Sequence, residues 1–133
     1  MTMQVQVVSP ERILWTGEAD LVTARTVEGG DITFLTGHAP FVGALEIGQV
    51  IIRPEAGEDT AFAVHGGFVE VSSNQVSLLT DVAEPAADID VERARAALAT
   101  AKAALATDPL DPAAPAAVRR AELRLLVAGA TAD

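Results

Sequence analysis

Apolar residues recur at every second position through the first part of the chain and at helical spacing towards its end, so the sequence reads as a β part followed by an α part. Met3, Val5 and Val7 alternate with Gln4 and Gln6, the pattern of a half-buried strand. Ser9-Pro10-Glu11 is a turn, because proline fixes its φ and removes a ladder donor. Ile13-Leu14-Trp15 opens a second strand ended by Gly17, and residues 21–26 form a third. Glu28-Gly29-Gly30-Asp31 is a turn that places Asp31 at its tip, since glycine takes positive φ without steric cost. Residues 32–35 resume extended structure until Gly37-His38-Ala39-Pro40 breaks it. Short strands are expected at 41–45, 49–53, 60–64, 68–71 and 76–80, divided by Gly48, residues 54–59, Gly66-Gly67 and Ser73-Asn74. Such a run predicts an antiparallel sandwich or barrel, and the lack of strand–helix alternation argues against a doubly wound sheet.

After residue 88 the period changes. Asp90 is placed to cap a helix starting at Val91, and Glu92 complements the positive end of its dipole. Val91, Ala94, Leu98, Ala101 and Leu105 make one apolar stripe, mostly alanine, which buries little area. The sequence TDPLDPAAP at 107–115 is a loop, and Pro115 suits the first turn of a second helix. Val118, Ala121, Leu125 and Leu126 give that helix an apolar face and Gly129 stops it, while Arg119, Arg120 and Arg124 decorate other faces. Residues 130–133 are expected to fray. Helices this short are marginal alone, so the pair needs something to lean on.

Half of the residues are apolar but only 4 % are aromatic, so the core is expected to be built from Val, Ile, Leu and Ala. The net charge of −10 argues against nucleic acid or an anionic lipid surface as partner. Residues 1–84 carry −9 of it and residues 85–133 carry −1. Without cysteine there is no disulfide framework and no thiolate-ligated metal, which fits a reducing compartment. MTMQVQVV does not read as a signal peptide, no run approaches a membrane span, and a cytoplasmic chain is expected.

Candidate chemistry is sparse. His38 and His65 each adjoin a glycine turn, where a structural hydrogen bond is the simpler reading and a hydrolytic role the rival. No nucleophile elbow and no phosphate-binding glycine loop appears. Residues 81–94, DVAEPAADIDVERA, join the two parts and hold the densest group of charged residues able to cap a helix or hold a nucleotide. Asp90 as cap and Arg93 in a surface ion pair is the structural alternative to a nucleotide site here.

GDITFLTGHAP at 30–40, AVHGGFVEV at 63–71 and AEPAADIDVERA at 83–94, in this order and spacing, resemble the epsilon subunit of F-type ATP synthase, and the ending RRAELRLLVAGA resembles actinobacterial members. Thr33 and Thr36 stand where the family's turn has Gly and Pro. The resemblance implies a flattened antiparallel β-sandwich of about ten strands at 1–84 and a helical hairpin at 85–133. It implies a non-catalytic central-stalk rotor subunit of a proton-translocating complex, peripheral on the cytoplasmic face of the membrane without inserting into it. The implied partners are the gamma subunit and the c-ring, with the alpha and beta subunits met when the hairpin extends. Asp31, Gly37, His38, Ala39 and Pro40 match the rotor interface, and Arg119, Arg120 and Arg124 are candidates to touch the catalytic head. Glu84, Ile89, Asp90, Arg93 and Ala94 match a pattern that binds regulatory ATP in some members; no other cofactor and no metal is implied. A free-standing nucleotide sensor is the rival function.

Overall fold

The computed structural model describes residues 2–130, which divide into one compact unit ending at Pro85 and another beginning at Ala86. The expected fraying of residues 131–133 lies outside the described residues.

The first unit is a β-sandwich of seven strands: β1 (Met3–Val8), β2 (Ile13–Thr26), β3 (Gly30–Leu35), β4 (Phe41–Pro54), β5 (Thr60–Ser72), β6 (Gln75–Thr80) and β7 (Ala83–Pro85). The sheet runs β1-β6-β5-β4-β2-β3, β7 pairs with β5, and β1 also pairs with β2, so the sheet closes on itself. The β1–β6 pairing is parallel and the others are antiparallel.

Three strands are long, and each serves both layers. The first half of β2 pairs with β1 and its second half with β3. The first half of β5 pairs with β7 and its second half with β6, while β4 follows β5 along both halves. Counted once per layer, these strands account for the roughly ten segments the sequence suggests. The glycines expected to end strands at Gly17, Gly48 and Gly66-Gly67 lie inside them instead. They sit where another group comes close. The indole of Trp15 lies over Gly17, and a Cβ on Gly48 would fall 2.6 Å from Cβ of Arg25. Gly67, at φ +125°, has the carbonyl oxygen of Leu79 2.2 Å from where a Cβ would stand.

Alternation does the rest. Val5, Val7, Val22, Ala24, Phe34, Val50, Ile52, Phe62, Val64, Val69, Val71, Val76 and Leu78 fill one core between the layers. The core is aliphatic with Phe34 and Phe62 as its largest members. Thr33, the departure from the family's glycine, is in β3 and joins its hydroxyl to that of Thr23 across the β2–β3 pair at 2.9 Å.

In the second unit, α1 (Val91–Thr107) and α2 (Ala114–Val127) form an antiparallel hairpin after a 3-10 turn at Ala86–Asp88. Asp90 caps α1: its carboxylate accepts from the Arg93 N–H at 3.1 Å. Pro115 stands in the first turn of α2. Gly129, at φ +73°, ends α2, and the Ala130 N–H returns to the Leu125 carbonyl at 2.9 Å. Ala94, Leu98, Ala121 and Leu125 form the seam, flanked by Val91 and Val118. Leu126 departs from the expected face: it is 63 % exposed, and Leu123 and Val127 are buried in its place. The periodicity reading placed 125 and 126 on one side, but neighbours on a helix diverge by about 100°.

Candidate interaction surface

No cleft among the described residues gathers catalytic groups, and no three of their His, Asp or Glu side chains come together as metal ligands. What the sandwich presents is a face. In the layer built from β1, β6 and the adjoining halves of β2, β5 and β4, one line of outward side chains crosses every strand. Ile13 pairs with Val8, Val8 with Leu79, Leu79 with Phe68, and Phe68 with Ala44. Val27 continues the line, its N–H donating to the Ala44 carbonyl at 2.9 Å. Phe68 is 57 % exposed, and Ile13, Leu79 and Val27 are similarly open. The next line reads Thr16, Gln6, Ser77, Glu70 and Val42, with one charge in five positions. A groove of about 410 Å³ opens beside Phe68 and is lined by Val27, Glu28, Ile32, Phe41, Val42 and Ala44. For a unit that carries −9, a face this apolar and this poor in charge is the candidate interaction surface.

Asp31 is not at a turn tip. Val27, Glu28 and Gly29 form the turn; Asp31 is one step into β3, opposite Arg25, with a carboxylate oxygen 3.4 Å from its Nε. Both side chains are more than half exposed, so the pair contributes only ~0–1 kcal/mol. Gly37, His38, Ala39 and Pro40 follow the other end of β3. The strand between Asp31 and Leu35 alone spans roughly 13 Å by its rise per residue. The five expected rotor-interface residues therefore stand at the two ends of β3.

The Gly37–Pro40 turn is tightly organised. Gly37 takes φ +85°, and the His38 N–H donates to the Leu35 carbonyl at 3.0 Å. The His38 ring meets the buried Phe34 ring edge-on at 5.0 Å and the Phe41 ring at 6.4 Å. Its Nδ1 lies 2.7 Å from the Ala39 carbonyl; a carbonyl only accepts, so Nδ1 carries the proton. The amide of Gly37 reaches across to the β5–β6 turn and donates to Oδ1 of Asn74 at 2.7 Å. No sequence signal singled out Asn74, because its partner lies 37 residues away.

Both histidines thus make structural bonds. His65 in β5, only 5 % exposed at its side chain, places Nε2 2.8 Å from Oε1 of Glu84 in β7. Glu84 belongs to the sandwich; Ile89, Asp90, Arg93 and Ala94 belong to the helical unit, where Ala94 is buried in the seam and Arg93 is exposed. Of the three α2 arginines, Arg119 is exposed and Arg120 and Arg124 are half-buried.

Comparison with known proteins decides the family. Residues 2–86 match the family model described as the beta-sandwich domain of the ATP synthase delta/epsilon chain. The chain belongs to the ATP synthase epsilon-chain family. It is 48 % identical to the epsilon chain of Streptomyces avermitilis, over 76 % of this chain and 81 % of that one. It is 51 % identical to the epsilon chain of Thermobifida fusca, over 74 % and 73 %. Among solved structures it superimposes on a chain of the mitochondrial ATP synthase of Euglena gracilis, from an assembly of OSCP, F1 and c-ring. That match has a TM-score of 0.72 at 25 % identity, over 96 % of this chain and 78 % of the other. A chain of the central stalk and c-ring of the Tetrahymena thermophila enzyme shares the fold, with a TM-score of 0.61 at 17 % identity, over 96 % and 97 % of the two chains. The family is a subunit family of an ATP synthase, which leaves the free-standing sensor unsupported.

Proposed function

We propose that this epsilon chain is a non-catalytic coupling subunit of the rotor, peripheral to the membrane, that passes torque between the c-ring and the gamma subunit. The observation that carries the reading is the apolar line Ile13–Val8–Leu79–Phe68–Ala44–Val27 on the outside of a stiff sandwich. A subunit that works by being held needs surfaces rather than a cleft, and this face offers one that crosses five strands. Gamma is its occupant. The Gly37–Pro40 turn belongs to the same grip, because Pro40 leads directly into Phe41 and Val42 on the groove. The opposite end of β3, where Asp31 is exposed one step past the β2–β3 turn, faces the polar loops of the c-ring.

The hairpin is the regulatory element in this proposal. Its seam rests on Leu98 and Leu125 among alanines, so it is cheap to rearrange. Arg119, Arg120 and Arg124 are the groups that would meet acidic surfaces of the alpha and beta subunits when the hairpin extends. ATP at Glu84, Ile89, Asp90, Arg93 and Ala94 would have to compete with the Asp90 cap and the His65–Glu84 bond. Calorimetry of the full chain with ATP is therefore expected to show no saturable heat, and a saturable heat would restore those five residues as a ligand site.

Phe68→Glu tests the reading. Exposed in the free chain, the residue should tolerate the change with its melting temperature retained, while affinity for gamma falls by about a hundredfold as a central apolar anchor is lost. Undiminished binding to gamma by a folded Phe68→Glu chain overturns the assignment of this face.

A further inference from the structure

We infer that Asn74 is the positioning residue of the Gly37–Pro40 turn, and that the Ser73-Asn74 turn belongs to the same contact end. The inference rests on the reading above that the 37–40 turn is part of the grip on gamma.

Three observations converge on this side chain. Ser73 and Asn74 both take positive φ, 51° and 59°, as the two central residues between β5 and β6. That is the two-residue hairpin turn in which both positions are left-handed and asparagine is favoured. The backbone there is thus set by the hairpin itself, and the amide side chain is left to do something else. Its Oδ1 accepts from the Gly37 N–H at 2.7 Å, while its backbone carbonyl accepts from the Gln4 N–H at 2.9 Å. One residue so joins the β3–β4 turn, the β5–β6 turn and the start of β1.

Two further bonds of the 37–40 turn are local. His38 N–H goes to Leu35, three residues back, and His38 Nδ1 goes to the adjacent Ala39. Ring contacts with Phe34 and Phe41 hold the imidazole, but both phenylalanines belong to the strands flanking the same turn. The Gly37–Asn74 bond ties the turn to a hairpin distant in sequence. Gly37 has no neighbour within 4 Å of where a Cβ would lie, so its φ of +85° rather than a close approach is what calls for glycine. A force delivered to the 37–40 turn therefore reaches the β5–β6 turn directly through the carboxamide of Asn74, alongside the β4–β5 ladder that begins at Phe41 and Val71. Because Oδ1 acts purely as an acceptor, a carboxylate can replace it and a hydrogen cannot.

That chemistry sets the test on the full chain. Asn74→Gly keeps the left-handed backbone and removes Oδ1, and Asn74→Asp keeps an acceptor in a residue that also tolerates positive φ. Hydrogen exchange of the Gly37 amide is expected to accelerate about five- to tenfold in Asn74→Gly, the worth of one hydrogen bond, and to stay near the parent rate in Asn74→Asp. Affinity for gamma should fall severalfold in Asn74→Gly and recover in Asn74→Asp, while the melting temperature falls by no more than a few degrees in Asn74→Gly. A merely structural role would lower the melting temperature and leave the affinity for gamma unchanged. Unchanged Gly37 exchange in Asn74→Gly overturns the positioning role. Faster exchange with unchanged affinity for gamma removes the turn from the grip, and Phe68→Glu then says whether the rest of the gamma face stands.

Discussion

At the scale of residues, glycine shows how the same side chain carries different consequences. A methyl group on Gly30, at φ +65°, meets nothing within 4 Å. Gly30→Ala is therefore expected to cost only the left-handed backbone penalty, about 1–2 kcal/mol. At Gly67 the methyl would press on the carbonyl of Leu79 and on Cα of Thr80 at 2.7 Å as well as demanding φ +125°. Gly67→Ala should cost about 3 kcal/mol or more, because neither strand can give way. Urea unfolding of the two variants checks the ranking, and equal midpoints would refute it. Arg25→Ala, which removes an exposed pair but also the stem lying against Gly48, should cost no more than ~1–2 kcal/mol.

At the scale of elements, the helices follow their local signals closely. Asp90 caps α1 through its side chain, so Asp90→Ala is expected to lose about 1 kcal/mol, read as faster amide exchange in the first turn of α1 with β-strand exchange unchanged. Leu98→Ala should cost near 2 kcal/mol, at the low end for a buried leucine, because its seam partners are mostly alanine. These elements were legible because cap, proline and stop residues act within one turn of themselves. The strands were legible one by one, but their lengths were not. A glycine inside a strand and a glycine ending one look alike in sequence; what separates them at Gly17, Gly48 and Gly67 is a neighbour brought near by the fold. The interaction face was invisible for a related reason. Val8, Leu79, Phe68 and Ala44 align only through the register of four strands, two of them parallel. The strand at 32–35 that separates Asp31 from the turn at 37 was legible, but not that this turn is bonded to Asn74 of the β5–β6 hairpin.

At the scale of the whole molecule, the sandwich core is complete without the helices: its buried cluster runs from Met3 to Leu78. Deleting residues 88–133 is expected to leave a folded β domain that still binds gamma and assembles, with ATP hydrolysis by the complex raised. Loss of assembly, or hydrolysis identical to the full-length chain, would count against a regulatory hairpin. Affinity for gamma should also change little between low and physiological salt, since the face and its groove offer only Glu70 and Glu28 among apolar and neutral groups, whereas a charge-driven contact would weaken steeply. The three long strands have a mechanical meaning here. Because β2, β4 and β5 each run through both layers, shear applied to one wall is carried into the other along continuous polypeptide. Such a body resists racking as a closed box does, and it can hand over a twist without first spending it on sliding one wall past the other.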